Sequence, residues 1–371
     1  MSLIIPVKMP KWGLSMQEGK VVHWWKSAGE EVNEGEDLLD VETSKITNTA
    51  ESPGGGVLRR IIAEPDQTMP VGALLAVIAD PATPEDEIDC FVDDWQKNFV
   101  PEADDAASDS LLELRMVEAG GGALRVGFTK GESAPIVLLH GFGADLNNWL
   151  FNIDALSAAA PVIAIDLPGH GASTKDVGDG SLATLAASVG GVLDSAGVAK
   201  AHLVGHSLGA AVAMRLALDR PDHVLSLTLV APAGLPGSLV SETFLNGFVE
   251  AERRQQLKPV LEQLVAEPGL ISRSMIDDVL KSKRLDGAQE ALATLRDRML
   301  EGSDFRAIQP RLGELPQALV IAGRRDAVVS GMSAAAMPSG WRLVWIDAAG
   351  HMPHVERAGE VNRLILETIE T

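Results

Sequence analysis

The chain has 371 residues, 46% hydrophobic and 22% charged, with 31 basic and 52 acidic side chains and a formal net charge of −21. This composition supplies cores for two or three domains and excludes global disorder, and the negative charge argues against nucleic-acid and anionic-membrane partners, which need a basic surface. A single cysteine, Cys90, excludes an internal disulfide and a cysteine-based zinc site, and the lack of a signal sequence or long apolar run predicts a cytoplasmic protein.

The first 80 residues form short strand-like segments separated by glycine and proline turns. Examples are the runs 20–25, 37–42 and 73–78. Many short strands with frequent turn signals predict an all-β sandwich or barrel. A faint repeat places Gly35 and Gly72, each followed by a Leu-Leu pair, 37 residues apart, and predicts two similar halves related by a quasi-twofold axis.

One lysine, Lys45, lies between two strand-like runs in the segment 40–50. A lysine on an exposed turn has a free amine, which suits a modification that swings the attached group away from the domain. Most lysines are exposed without any special role, so the segment Glu42-Thr43-Ser44-Lys45 taken alone also fits an ordinary surface turn.

Residues 1–80 as a whole resemble the lipoyl domain of 2-oxo-acid and acetoin dehydrogenase complexes. The matching segments are 9–16 (Met-Pro-Lys-Trp-Gly-Leu-Ser-Met), Glu18-Gly19, 29–32 (Gly-Glu-Glu-Val), Gly35, Leu38-Leu39 and the turn 42–45. The resemblance implies an all-β lipoyl sandwich in which Lys45 carries lipoate in an amide bond. Biotinyl domains share this fold but usually place the lysine between two methionines, whereas Ser44 and Ile46 flank it here, which favours lipoate.

The segment 81–113 has eleven acidic residues and one basic residue, Lys97. Such a charge density favours a solvated linker. Within it, five apolar side chains share one face at helical spacing: Ile88, Phe91, Val92, Trp95 and Phe99. These apolar residues fit either a short helix packed on one of the domains or a docking helix for another subunit.

From about residue 120, apolar strands alternate with amphipathic helices. The predicted strands are 124–128, 136–139, 162–165, 202–204, 225–230, 318–322 and 343–346, and the clearest helices are 182–196 and 210–218. Such alternation predicts a mainly parallel α/β sheet. Residues 235–312 interrupt it with helical segments only (241–265, 276–283 and 287–300), which predicts a helical lid. The expected domains are thus 1–80, a linker at 81–113, and 114–371.

The strongest chemical signal is Gly205-His206-Ser207-Leu208-Gly209, between a predicted strand and a predicted helix. Strand, sharp turn and helix are the context of a nucleophile elbow. The glycines are expected because the turn brings backbone segments too close together for a Cβ. Ser207 is the predicted nucleophile, at a helix N-terminus whose dipole favours developing negative charge.

A serine nucleophile needs a base, and the loop after the last predicted strand offers His351. That loop end faces the elbow in a sheet of this type. His354 is the alternative base, but it precedes a helix start and fits a structural role. His206, inside the elbow, fits a packing role.

An acid must orient the imidazole, and the expected chain order is serine, acid, histidine. The segment 322–327 follows the predicted strand 318–322 and ends in a turn. Asp326, within this segment, is the predicted acid. Asp347 is too close to His351 in sequence to reach its ring easily and fits a turn cap. Asp166 precedes the serine and violates the order.

An oxyanion hole needs two main-chain N–H groups directed at one point. One is expected from Leu208 and the other from Phe142, in the loop His140-Gly141-Phe142-Gly143 after an earlier strand. The loop alone also fits a simple glycine-rich turn. In this order the motifs of residues 120–371 resemble those of the α/β-hydrolase superfamily, which implies the fold and the machinery but no particular substrate.

The two halves together resemble the dihydrolipoyl acetyltransferase components of acetoin dehydrogenase complexes. The resemblance implies lipoate on Lys45, coenzyme A as acceptor, and two partner enzymes: a thiamine-diphosphate-dependent E1 that acetylates the lipoyl group and a dihydrolipoamide dehydrogenase, E3, that reoxidises it. The His-x-x-x-Asp-Gly motif of ordinary acyltransferase components and their basic docking domain do not occur in the sequence. The resemblance therefore leaves the core assembly and the mode of partner docking open.

Three functions follow as alternatives. The first is acetyl transfer from lipoyl-Lys45 to coenzyme A through Ser207. The second is hydrolysis of a small ester or a C–C bond by a domain fused to a lipoyl carrier, because the same machinery serves water unless the lid excludes it. The third is a lipoyl carrier and docking module with an idle serine site, against which the complete set of motifs argues.

Overall fold

The computed structural model describes residues 4–10, 18–43, 47–99 and 112–369. The chain divides into two compact units, Met1–Ser110 (unit 1) and Leu111–Thr371 (unit 2). Over the described residues, no helix is both long enough and apolar enough to cross a bilayer.

The described part of unit 1 consists of two four-stranded antiparallel sheets and one helix. Its elements are β1 (Ile4–Lys8), β2 (Glu18–Trp24), β3 (Glu31–Val32), β4 (Asp37–Glu42), β5 (Thr47–Glu51), β6 (Gly56–Ile61), β7 (Thr68–Pro70), β8 (Leu74–Ala79) and α1 (Glu85–Asn98). One sheet has the strand order β1-β8-β6-β3 and the other β5-β4-β2-β7. Adding four to each strand number, with the count returning to one after eight, converts the first order into the second. Each half of unit 1 therefore contributes equivalent strands to the two sheets, which is the quasi-twofold arrangement predicted from the repeat.

The two glycines of the repeat adopt the same left-handed conformation, with φ of 77° at Gly35 and 79° at Gly72. Each precedes a strand, and each N–H is bound to a carbonyl, that of Ser52 for Gly35 and that of Met9 for Gly72. A side chain is strained at such a φ. The repeated glycine is therefore a conformational requirement of two equivalent turns.

Strand β8 is buried along its whole length because both of its faces are covered. Leu75 and Ile78 belong to the core between the sheets, whereas Leu74 and Val77 pack against apolar residues of α1, notably Ile88. The acidic first turn of α1 is also tied to β6, where Arg59 and Arg60 pair with Glu85 at 2.5 and 2.9 Å. The structure thus packs the predicted amphipathic helix on unit 1, as in the first of the two interpretations.

Unit 2 is an α/β unit in which helices connect the strands of one large sheet. Its strands are β9 (Glu113–Ala119), β10 (Gly122–Phe128), β11 (Ile136–Leu139), β12 (Val162–Ile165), β13 (Ala201–His206), β14 (Val224–Val230), β15 (Leu239–Val240), β16 (Ala318–Gly323), β17 (Val329–Ser330) and β18 (Arg342–Ile346). Its helices are α2 (Leu150–Ser157), α3 (Leu182–Ser195), α4 (Leu208–Asp219), α5 (Glu242–Glu250), α6 (Arg254–Leu261), α7 (Arg273–Lys283), α8 (Ala288–Glu301), α9 (Ser303–Ile308), α10 (Pro353–Glu356) and α11 (Ala358–Ile369).

The large sheet has the order β18-β16-β14-β13-β11-β12-β10-β9. Strand β10 is antiparallel to both of its neighbours, and the remaining pairs are parallel. All seven predicted strands are present, with ends shifted by at most two residues. The carboxyl ends of the parallel strands lie at one edge, where ligands bind in open α/β sheets.

Two short elements differ from the prediction. Strand β9 begins at Glu113, inside the predicted linker, and its Leu114 and Met116 are 50% and 55% exposed. An edge strand of this kind lacks the buried alternation from which strands are recognised. Strand β15 lies inside the predicted all-helical region and pairs with β17, so the expectation of helices only is wrong there; two residues are too few for any periodicity.

Candidate active site

Ser207 lies between β13 and α4 in a strained conformation, with φ of 52° and ψ of −112°. Its N–H donates to the Val230 carbonyl at 2.9 Å. A Cβ at Gly205 would lie 2.4 Å from Gly209 O, and a Cβ at Gly209 would lie 2.3 Å from Leu139 O. Both glycines of the elbow are therefore sterically required, and the positive φ of Ser207 is the strained backbone expected of a nucleophile elbow.

His351 and Asp326 are in direct contact, with 2.9 Å between Nδ1 of the imidazole and Oδ2 of the carboxylate. Both side chains are buried, 2% and 5% exposed. The second carboxylate oxygen, Oδ1, accepts the main-chain N–H groups of Val328 and Val329 at 2.8 Å each. With the carboxylate fixed by the main chain, the imidazole is oriented through Nδ1, and Nε2 faces away from Asp326.

The loop that carries His351 lies beside the elbow. The rings of His206 and His351 have centroids 4.8 Å apart, and His206 Nε2 donates to the His351 carbonyl at 2.8 Å. His206 is the direct neighbour of Ser207 and is buried, in line with the packing role expected of it. The three predicted residues thus follow β13, β16 and β18, at the carboxyl ends of parallel strands of one sheet.

The loop 140–143 lies against the elbow. A Cβ at Gly141 would be 3.2 Å from Ser207 Cβ. Among the hydrogen bonds of the described residues, none is donated by the main-chain N–H of Phe142 or Leu208. Both of the N–H groups predicted for an oxyanion hole are therefore available to a ligand.

His140 orients this loop. Its Nδ1 donates to the Gly141 carbonyl at 2.8 Å, and its Nε2 accepts the Leu167 N–H at 3.0 Å. Burial lowers the pKa of His140, so the ring is neutral at neutral pH. His140 thus fixes the peptide group that precedes Phe142, a role that was not predicted from the sequence.

The alternative base, His354, belongs to a buried structural cluster. Its Nε2 donates to Asn148 Oδ1 at 2.8 Å, and its ring packs at a tilt against the rings of Trp149 and His206, with centroids 4.4 and 4.5 Å away. Burial lowers the pKa of His354 to about 3. This environment keeps the ring neutral and fully engaged in packing.

The alternative acids also have other partners. Asp347 is exposed and pairs with Arg324 at 3.1 Å. Asp166 is buried, pairs with Arg125 at 2.6 Å and accepts the N–H groups of Leu146 and Ala172. Asp166 therefore holds two loops together, and of the three candidate acids Asp326 is the one that contacts His351.

One lid contact at this site was not predicted from the sequence. Phe248 of α5 packs against Phe142, with centroids 5.5 Å apart. Lys283 holds the end of α5 by donating to the carbonyls of Phe248, Val249 and Ala251. Burial lowers the pKa of Lys283 to about 8. No local signal links residues 142, 248 and 283, because their proximity arises only from the tertiary fold.

Lys45 lies outside the described residues, but the strands on either side of it are described. Strand β4 pairs antiparallel with β5, and the pair nearest to the connection is Glu42 opposite Thr47. Glu42 and Thr47, on either side of the segment that contains Lys45, are therefore paired in one sheet.

Two family descriptions match the chain: "Biotin-requiring enzyme" over residues 5–78 and "Alpha/beta hydrolase family" over residues 136–364. The structure of 2-hydroxy-6-oxo-6-phenylhexa-2,4-dienoate hydrolase from a Rhodococcus species is similar to unit 2, with a TM-score of 0.63 and 22% identity over 70% of this chain and 99% of that chain. At this identity the likeness concerns the fold alone.

Two relatives match both units. They are the dihydrolipoyllysine-residue acetyltransferase components of the acetoin cleaving systems of Pseudomonas putida and Cupriavidus necator, 47% and 42% identical over 99% and 98% of this chain and 98% and 96% of their own. A 2-hydroxy-6-oxononadienedioate/2-hydroxy-6-oxononatrienedioate hydrolase from Comamonas testosteroni is 31% identical over 64% of this chain and 88% of its own. The chain therefore belongs to the family of dihydrolipoyllysine-residue acetyltransferase components of acetoin cleaving systems, in which a lipoyl domain precedes an α/β-hydrolase domain.

Proposed function

We propose that the chain transfers an acetyl group from a lipoyl arm on Lys45 to coenzyme A, with Ser207 as nucleophile. The observation that carries the proposal is the contact of His351 with Asp326 at 2.9 Å beside the elbow of Ser207. We assign residues 1–80 to the lipoyl domain, 81–113 to the connecting segment with its helix, and 114–371 to the acyltransferase domain with a lid at about 235–312.

The side chains of unit 2 divide the chemistry between them. Ser207 Oγ attacks the carbonyl carbon of the donor thioester while His351 Nε2 takes the hydroxyl proton, and Asp326 stabilises the imidazolium through Nδ1. His351 then returns the proton to the departing thiolate, and Ser207 carries an acetyl ester. The thiol of coenzyme A gives its proton to His351 and attacks this ester. His351 passes the proton to Ser207 Oγ as the acetyl–oxygen bond breaks, which releases the acetyl thioester and restores the Ser207 hydroxyl.

The N–H groups of Phe142 and Leu208 stabilise the negative charge on the carbonyl oxygen in both steps. Such donors act strongly because they are fixed before the reaction, and loss of one typically lowers kcat by roughly 100- to 1000-fold. Phe142 is itself fixed by His140 on one side and by Phe248 of the lid on the other.

Bound as an amide to Lys45, lipoate would supply the thiol that carries the acetyl group. The antiparallel pairing of β4 with β5, in which Glu42 lies opposite Thr47, supports this assignment. A thiamine-diphosphate-dependent E1 and a dihydrolipoamide dehydrogenase are the proposed partners, since the arm must be acetylated and reoxidised by other enzymes.

Two measurements test the proposal. The intact mass of the protein from a lipoylating host should include a lipoyl group that Lys45→Arg abolishes. Acetyl-dihydrolipoamide and coenzyme A should yield acetyl-coenzyme A with the wild type and none above background with Ser207→Ala. An unmodified wild-type chain, or full transfer by Ser207→Ala, would contradict the scheme.

Hydrolysis by unit 2 is the second candidate function, because the Comamonas testosteroni relative that matches this part of the chain is a hydrolase. The same assay separates the two, since free acetate as the sole product would support hydrolysis. The relatives that match both units favour transfer.

A further inference from the structure

A groove of about 570 Å³ opens on the lid, between the start of α6 and the second half of α7. Its volume is within the range of small-molecule sites. The charged side chains that line it are Glu252, Arg253, Arg254, Asp277, Lys281 and Arg284. It is thus distinct from the cluster of Ser207, His351 and Asp326.

The groove lies in a basic segment of an acidic protein. Residues 252–284 contain seven basic and five acidic side chains, a net charge of +2, whereas the whole chain has a net charge of −21. Like charges held close together repel, so an excess of cations here favours an anionic ligand over a cationic one. The rest of the chain has a net charge of −23 and, as a whole, repels such a ligand.

Two of the cations in the groove have no charged partner in the part of the chain that the structure describes. Arg254 pairs with Asp277 through Nε and Nη2 and thereby lowers the pKa of that carboxyl, and Lys281 pairs with Asp278 at 3.1 Å. Within the described residues, Arg253 and Arg284 form no ion pair, and both are exposed. Free guanidinium groups bind phosphate through paired, charge-assisted hydrogen bonds.

The groove is joined to the active site through one helix. Lys283, next to Arg284, holds the carbonyls at the end of α5, and Phe248 of α5 rests on Phe142. Gln256 Oε1 also accepts the N–H groups of Glu252 and Arg253 at 3.1 Å each, which fixes the backbone at the mouth of the groove. A ligand anchored here would contact the same lid that covers the oxyanion loop.

We propose that this groove binds the phosphate groups of the acyl acceptor, with Arg253 and Arg284 as the principal contacts. The inference rests on the proposed function, because coenzyme A carries its phosphates at the nucleotide end, remote from the thiol that reacts. Binding at the lid would hold the nucleotide end and leave the pantetheine arm to reach Ser207.

The test compares two acceptors that share a thiol arm, coenzyme A and pantetheine, which lacks the phosphates. In the full-length Arg253→Gln/Arg284→Gln variant, the KM for coenzyme A should rise by roughly tenfold or more. The kcat at saturating coenzyme A and the KM for pantetheine should stay unchanged. Arg342→Gln/Arg363→Gln removes the same charge from other elements of unit 2 and should leave every KM unchanged.

A binding measurement separates this inference from the proposed function. Adenosine 3′,5′-bisphosphate should bind the wild type in calorimetry, more weakly at high salt, and should lose that binding in the groove variant. Undiminished binding and an unchanged KM in that variant, or no binding by the wild type, would overturn the groove site while acetyl transfer stands. If neither the wild type nor any variant forms acetyl-coenzyme A, the proposed function fails. Calorimetry then still shows whether the groove binds phosphate groups.

Discussion

Phe248 of the lid packs edge-on against Phe142, with ring centroids 5.5 Å apart and ring planes at 66°. The contact depends on a glycine at position 143, since a Cβ there would lie 2.3 Å from Phe248 Cζ. The lid and the loop that carries Phe142 are therefore fitted to each other, and a small change on one side displaces the other.

We predict that Gly143→Ala lowers kcat/KM for acetyl transfer by at least about tenfold, because the added methyl displaces Phe248 and with it the Phe142 peptide. Gly197→Ala is the matched control, since both glycines have positive φ (76° and 68°) but no atom lies within 4 Å of a Cβ at Gly197. The backbone strain, roughly 1–2 kcal/mol, is common to both variants. Equal activity losses in the two would mean that the contact with Phe248 is irrelevant.

Glu356 joins the loop of His351 to the lid. Its Oε1 accepts the Gly350 N–H at 2.8 Å and its Oε2 accepts the Ala266 N–H at 2.6 Å. In the same place His351 N–H donates to the Leu264 carbonyl at 2.9 Å. Burial raises the pKa of Glu356, and the main-chain donors partly oppose that shift.

We predict that Glu356→Gln lowers both stability and kcat, because an amide has one acceptor oxygen and leaves one of the two N–H groups unpaired. The expected loss in the free energy of unfolding is about 1–3 kcal/mol. Urea unfolding and steady-state kinetics measure the two effects, with the exposed Glu290→Gln as control. A variant with wild-type stability and kcat would show that the carboxylate does not position His351.

Local signals sufficed to predict which residues follow the carboxyl ends of strands at one edge of the sheet. Ser207 is marked by flanking glycines, and His351 and Asp326 each follow an apolar strand, so that the topology brings them to one edge of the sheet. Phe248 and Glu356 carry no such mark. Phe142, the partner of Phe248, and Ala266, the lid partner of Glu356, lie about 90 or more residues away in the chain, and the sequence does not specify which side chains the tertiary fold brings together.

For α1, helical spacing predicted the helix but left its binding surface open. A usable signal was present in β8, whose run 74–79 is apolar throughout, whereas a sandwich strand with one solvent-facing side alternates. A continuous run indicates a cover on the outer face, and α1 is that cover. Strand β9 was missed because its apolar residues do not mark a buried face. Leu114 and Met116 are exposed, so the sequence lacks the alternation of buried apolar and exposed polar residues from which strands are predicted.

Two buried histidines should make unit 2 sensitive to acid. Burial lowers the pKa of His170 and of His354 to about 3, against 6.5 for an exposed imidazole. Between these values the unfolded chain binds more protons than the folded one, so stability is complete above pH 6.5 and is lost as the pH falls. Each group contributes about 1.4 kcal/mol per pH unit in that window.

Between pH 6 and pH 4 the free energy of unfolding should fall less steeply in His354→Gln than in the wild type. We predict a difference in slope of about 1.4 kcal/mol per pH unit, which corresponds to one proton. The slope is measured by urea unfolding at several pH values, with hydrogen exchange in unit 2 as the readout. The exposed His23→Gln should leave the slope as it is. A wild-type slope in His354→Gln would show that this ring is not held neutral by burial.

Helix α1 of the acidic segment packs on β8 through Ile88. Ile88 is fully buried against Leu74 and Val77, so Ile88→Ala should cost about 2–5 kcal/mol of the packing of α1 on β8. In the full-length protein, hydrogen exchange should become faster in residues 74–79 and 85–98. Cys90→Ala alters an exposed side chain of the same helix and should change neither segment. If exchange in residues 74–79 is unaffected by Ile88→Ala, then α1 does not cover β8 in solution, and the acidic segment is better described as a linker throughout.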